Sequence, residues 1–312
     1  MNFETQKVCQ FWVEHPSKFV KINEQKMKEL AQLLQKNRPR IPDWRIPELP
    51  SFDRAFVSHL FYICAIDFAF THFTPPHRSF YFSSEIRGSA AASMCFLRHF
   101  GNYEISAEEI LAISTNPRRL ESFFKGKNLP PLLEQRGICL EEAARVLITI
   151  FNGSVFNFLE FSRYEAWKII SNLVNYFPVA FGQDRYRDLY LNKRAHLFPL
   201  IYHGRALHSN GLLRPLKQPR DIGPIPDYQV PKYLRAIGIL QYTSSLDKKI
   251  AARKILTFGS AEEMEIRVAT VYAVCRLMNL IELTMPELDY WLWQGGQKIQ
   301  HLNHHLTPTT AY

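Results

Sequence analysis

Cysteine is scarce here and badly spaced for either a framework or a metal. Five residues stand at 9, 64, 95, 139 and 275, an odd number, with no Cys-x-x-Cys pair and no Cys/His cluster at zinc spacing. That excludes a disulfide-stapled scaffold and a structural zinc module as the basis of the fold. Cys64, Cys95 and Cys275 lie in apolar surroundings and read as buried thiols of a reducing compartment. Long hydrophobic runs are missing too. The most apolar stretch, 61–70, is interrupted by Asp67 and is too short to span a bilayer, so no membrane partner is expected. The first residues lack a basic segment followed by an apolar one, so no secretory leader is expected and the location reads as cytoplasmic. There is no Lys/Arg block, no internal repeat and no low-complexity tract.

What is present is ordinary globular material. The chain has 312 residues, 46% of them hydrophobic and 21% charged, enough for one large core or two closely merged lobes over 1–312. Its formal net charge is +9. That balance fits a solvated basic surface or an anionic partner, and a phosphate pocket needs only a few of these charges.

Most of the sequence reads as helix. Met27, Leu30, Leu33 and Leu34 mark a helical face over 22–34. A proline-rich connector follows at 38–50, which proline's fixed backbone makes an ordered, extended crossing. Helical patterns resume over 51–70, 89–100 and from 106 to 176, including one amphipathic helix at 156–176. Residues 186–196 are the one extended piece, a short strand pair or a strand running into a helix. Helices return at 234–240, 261–283 and 285–293, and the tail 301–312 is polar and expected to fray. The fold class is mostly α, with at most a minor β element.

The segment most suggestive of chemistry is Ile225-Pro-Asp-Tyr-Gln-Val-Pro231. Pro226 stiffens the step that carries Asp227, and Pro231 suits the first turn of a following helix that Gly238 ends. The spacing fits two readings: an aspartate that caps a helix, or a carboxylate presented to a ligand. Near the end, Asp289 stands beside Tyr290, Trp291 and Trp293. An acid among aromatic rings suits a flat base, and an aromatic-rich helix closing the core suits the same pattern.

These stretches resemble the queuosine salvage protein family. The similarity is carried by Tyr190-Leu-Asn-Lys-Arg-Ala195, Ile225-Pro-Asp-Tyr-Gln-Val-Pro231, Glu265-Ile-Arg267 and Leu288-Asp-Tyr-Trp-Leu-Trp293. Asp67-Phe-Ala-Phe70 and Leu132-Leu-Glu-Gln-Arg136 match more weakly. The resemblance implies a helical architecture similar to helix-hairpin-helix DNA glycosylases. It also implies a hydrolase that releases queuine from queuosine 5′-monophosphate without metal or organic cofactor. On that reading Asp227 is the catalytic carboxylate with Lys193 beside it, and Asp289 and Tyr290 hold the base. Ile225, Tyr228, Trp293, Gln294, Asp67, Phe70 and His72 complete the substrate contacts, with Arg194 and His203 as phosphate partners. Two positions depart from the family pattern: Thr71 stands where Trp is frequent, and Gln294 where an acid is expected. Gln294 accepts hydrogen bonds but forms no ion pair with the ammonium of the queuine side chain.

A carboxylate near C1′ stabilises the positive charge that builds on ribose as its C–N bond breaks. A 7-deazapurine has no N7 to protonate, so the carboxylate and the grip on the base must contribute more. The partner is expected to be a small nucleotide, with no stable nucleic-acid complex. Two other readings fit the same residues: a helix-hairpin-helix DNA or RNA glycosylase, and a non-catalytic helical nucleotide-binding module in which Asp227 only caps.

Overall fold

A computed structural model describes residues 2–312. Fifteen α-helices, one 3-10 turn at Pro219–Asp221 and two small antiparallel strand pairs account for the regular structure among them. No helix is long and apolar enough to cross a membrane. The most deeply placed helix is Asp53–Ala65, in which every residue from 55 to 65 is buried. That follows from its near-continuous apolar sequence, which leaves no face for water.

Several boundaries fall where the side chains direct. Ser106 caps Ala107–Ser114 by accepting from Glu109 N, and Ser260 caps Ala261–Ile281 by accepting from Glu263 N. The helix Ser89–Phe100 has the expected limits. The helix expected over 156–176 is instead two, Val155–Phe161 and Ala166–Tyr176. The break holds Arg163 and Tyr164 at φ 56° and 54°. It persists because Ala166 N donates to Lys217 O at 3.1 Å and Lys217 N to Tyr164 O at 2.8 Å, long-range pairings that periodicity does not show. The expected helix at 234–240 runs earlier, over Gln229–Ala236. Gly238 follows at φ 79°, and Leu240–Tyr242 then pairs antiparallel with Val20–Ile22. The extended piece is a tight hairpin of Arg185–Tyr186 and Leu189–Tyr190, running into the helix Lys193–Leu207.

The tail does not fray. Leu256 N donates to Leu306 O at 2.8 Å, and Ala69 N to Tyr312 O at 3.0 Å. Tyr312 is buried, its hydroxyl donates to Glu263 Oε1 at 2.8 Å, and its ring lies 4.1 Å from the Arg267 guanidinium. A polar sequence is held here by specific partners rather than by hydrophobic content.

Two glycines set how closely the last elements pack. A Cβ on Gly296 would stand 2.3 Å from Gln229 O, and one on Gly295 would stand 2.6 Å from the Tyr233 ring. The helix Met285–Lys298 can therefore lie directly against Gln229–Ala236. That approach brings residues 227 and 289 to one place.

Candidate active site

A cavity of about 830 Å³ opens between these elements. Asp227, Asp289, Lys193 and Asp67 form a charged group in its wall, and Phe70, Ile225, Tyr228, Tyr290 and Trp293 line it as well.

Asp227 caps a helix and also lines the cavity. Its Oδ1 accepts from Gln229 N at 2.7 Å and from Val230 N at 2.9 Å, capping the helix Gln229–Ala236. Its second oxygen takes no such bond, and the residue faces the cavity while only 6% exposed. Burial raises its pKa above the usual aspartate value, and Lys193 and the two backbone donors oppose that rise without cancelling it. The helix start adds a favourable dipole for an anion.

Lys193 opens its own helix, and its ammonium is bound by Asp67 Oδ1 and, at 2.8 Å, by Asp67 O. Asp289 is 4% exposed, and its Oδ1 is buried without a partner. Burial, reinforced by the nearby Asp227 charge, raises its pKa to about 8. Burial raises both carboxyl groups of this cavity, and only Asp227 has a cation and two backbone donors opposing that rise. Tyr290 stacks on Trp293 with centroids 6.1 Å apart and meets Trp44 edge-on at 5.1 Å.

The support behind this group comes from two arginines in matching stretches, Arg267 and Arg136, and from Asp184, which no motif singles out. Arg267 is fully buried and forks onto Asp184, Nη1 to Oδ1 at 2.6 Å and Nη2 to Oδ2 at 2.7 Å. Its Nε donates to Pro226 O at 3.0 Å, and Asp184 Oδ2 accepts from Lys193 N at 2.9 Å. One ion pair therefore fixes the backbone on which both Asp227 and Lys193 stand. Arg136, also fully buried, donates to Phe68 O and Ala69 O and so shapes the turn that carries Asp67 and Phe70.

Four expected contacts are placed elsewhere. Arg194 is fully buried, donating to Ala65 O and, at 3.3 Å, to Val179 O, so it is structural and not a phosphate partner. His203 accepts from Leu216 N at 3.1 Å outside the cavity, and burial lowers its pKa to about 4. His72 is bonded to Leu129 O and Asn128 and does not reach the cavity. Gln294 turns toward the Tyr290 hydroxyl at 3.5 Å, and Gln297, one turn on from Trp293, lines the wall instead.

Cations do reach the cavity, by other routes. Arg87, Lys232 and Arg253 all line it. Lys232 is 9% exposed, and its pKa is lowered to about 8 by burial and by Arg87 and Arg253, against the pull of Asp227. Nη1 of Arg253 is buried without a partner. Arg87 and Gly88 lead into the helix Ser89–Phe100, whose N-terminus has no side-chain cap and also lines the cavity. Free helix N–H groups beside three cations form a place for an anion. Among the described residues no cluster of three or more His, Cys, Asp or Glu is arranged to hold a metal ion.

Fold and site together define a mostly helical protein with an aromatic, carboxylate-bearing cavity and a cationic margin, suited to a small phosphorylated ligand. Residues 50–312 match the queuosine salvage protein family, and the chain belongs to it. It is 29% identical over 200 residues to the queuosine 5′-phosphate N-glycosylase/hydrolase of Sphaerobacter thermophilus, a match spanning 61% of each chain. It is 25% identical over 334 aligned positions to the protein of that name from Dictyostelium discoideum, covering 96% of each. It is 26% identical over 175 residues to the one from Schizosaccharomyces pombe, covering 54% of this chain and 50% of that one.

Proposed function

We propose that this chain hydrolyses the N-glycosidic bond of queuosine 5′-phosphate, releasing queuine and ribose 5-phosphate. The observation that carries the reading is a pair of buried carboxyl groups in one cavity: Asp227, backed by Lys193 and two backbone donors, and Asp289, held neutral up to about pH 8. The names of the relatives supply the substrate.

The bond between C1′ and the base nitrogen breaks with its electron pair passing into the base. Asp227 stabilises the sugar cation and takes one proton from the attacking water, whose oxygen bonds to C1′. Asp289 donates its proton to the base, which has no N7 to accept one. Exchange with solvent then returns a proton from Asp227 to Asp289. Tyr290 and Trp293 hold the base, and the charge of Lys193 favours the ionised form of Asp227 against the effect of burial. The phosphate lies against Arg87, Lys232, Arg253 and the start of Ser89–Phe100. The released base is then free for insertion into tRNA by another enzyme, and the five unpaired cysteines favour a reducing, cytoplasmic setting. Asp227 at a turn before a short helix supports the likeness to helix-hairpin-helix glycosylases.

Purified protein mixed with queuosine 5′-phosphate should yield queuine by mass spectrometry. A folded sample that releases none overturns the assignment. Gathering of Arg87, Lys232 and Arg253 at one cavity favours a single phosphate over a duplex, so binding to duplex DNA should be weak at physiological salt.

A further inference from the structure

The connector at 38–50 lies before the family match, which begins at residue 50. It nevertheless builds part of the cavity wall. Trp44, Ile46 and Glu48 line it together with Leu49. The prolines at 42, 47 and 50 keep this segment out of helix. Ile46 N donates to Trp44 O at 3.0 Å and Leu49 N to Ile46 O at 3.1 Å, which fixes the turn. The strap is seated on Gly204, where a Cβ would stand 2.6 Å from Pro42 O and 2.8 Å from the Trp44 indole. Trp44 is held at φ 57°, a conformation a bulky residue rarely adopts.

The charges of the strap are sorted. Arg45 turns away and donates to His208 O at 2.7 Å, and Arg38 pairs with Glu287 at 3.2 Å. The charged residue that lines the cavity from this strap is Glu48, half-buried and with no ion pair or hydrogen bond from its side chain. It stands on the same strap as Trp44, whose ring meets Tyr290 edge-on, whereas Arg87, Lys232 and Arg253 line the cavity with positive charge. A nucleotide lying across this cavity meets cations with its phosphate and an acid near its base. Queuine carries a secondary amine on the substituent of its base, protonated at neutral pH. Gln294, which lies away from the cavity, does not meet it.

We propose that Glu48, presented by the Trp44 strap, is the specificity residue that pairs with the amine of the base substituent. The inference rests on the proposed reaction and adds to it which part of the base is read. The test compares queuosine 5′-phosphate with 7-deazaguanosine 5′-monophosphate, which has the same phosphate and ring but no amine. Glu48→Gln should raise KM for queuosine 5′-phosphate about tenfold, the loss of one charge-assisted hydrogen bond, with kcat nearly unchanged. The same variant should leave the inhibition constant of 7-deazaguanosine 5′-monophosphate as it is in the wild type, and Glu48→Asp should recover part of the loss. Equal weakening of both nucleotides, or of neither, overturns the role of Glu48. So does a matching loss from Glu85→Gln, since Glu85 is the other acid on the cavity wall outside the group of Asp67, Asp227 and Asp289. Absence of queuine release by the wild type is a different result, and overturns the reaction itself.

Discussion

The two charged regions of the cavity are built on opposite terms. Asp227, Asp289 and Lys193 are each at most 6% exposed, and every one is fixed by or near another charge or a backbone group. On the cationic side Arg87 is exposed and Arg253 half-buried, with only Lys232 taken well out of water. Buried groups change their protonation behaviour and respond strongly to loss of a partner. Groups left near water keep their charge and act by convergence on a ligand. In the proposed reaction the first region alters bonds and the second places the phosphate.

Breaking the support of the buried region should have the largest effect. Arg267→Met leaves Asp184 as an unpaired buried carboxylate and frees Pro226 O, so unfolding in denaturant should show a loss of about 3–5 kcal/mol. Activity should fall with it, because Asp227 and Lys193 lose their shared anchor.

Next comes the neutral acid. Asp289→Asn should lower kcat about a hundredfold. In the wild type the proton on Asp289 is lost as pH rises through about 8, so the rate should fall on that alkaline side. Stability has the same sign. A carboxyl with a raised folded pKa favours the folded state at low pH, and that contribution is lost as pH rises toward about 8. Asp289→Asn should therefore melt higher than the wild type at pH 8 and close to it at pH 4. Equal melting temperatures at both pH values would show that Asp289 is not buried as described.

The cationic side should respond more mildly. Lys232→Met or Arg253→Ala should raise KM about tenfold, with little change in kcat. The nucleoside lacking phosphate should be handled equally by wild type and variants. At the small end, His72→Gln should move neither parameter by more than about twofold, since it lies off the cavity.

How much of this could be read beforehand follows the same division. Asp227 and Asp289 have local cues, a proline-bounded turn and an acid among aromatics, but those cues fit a cap and a core helix equally, and the resemblance is what singles out Asp227, Lys193, Asp289 and Tyr290. The cationic side is assembled from 87, 232 and 253, which no local pattern links, so Arg194 and His203 were the basic residues that sequence proximity suggested. Their burial against Ala65 O and Leu216 N is a tertiary matter. Asp184 escaped notice because a lone aspartate after Gly-Gln is common, and only Arg267 gives it a role. Helix starts were legible where Ser caps them. The break at 163–164 and the packed tail were not, because both depend on partners distant in sequence.

The central claim is that Asp227 works on the sugar while its capping duty is only support. Asn keeps Oδ1 for Gln229 N and Val230 N but removes the charge. Wild type and Asp227→Asn should therefore be mixed in excess with queuosine 5′-phosphate and assayed for queuine in a single turnover. The account predicts that the variant melts near the wild type and binds the nucleotide, yet releases queuine at least about a hundredfold more slowly. Release at the wild-type rate would leave Asp227 a helix cap and contradict the account.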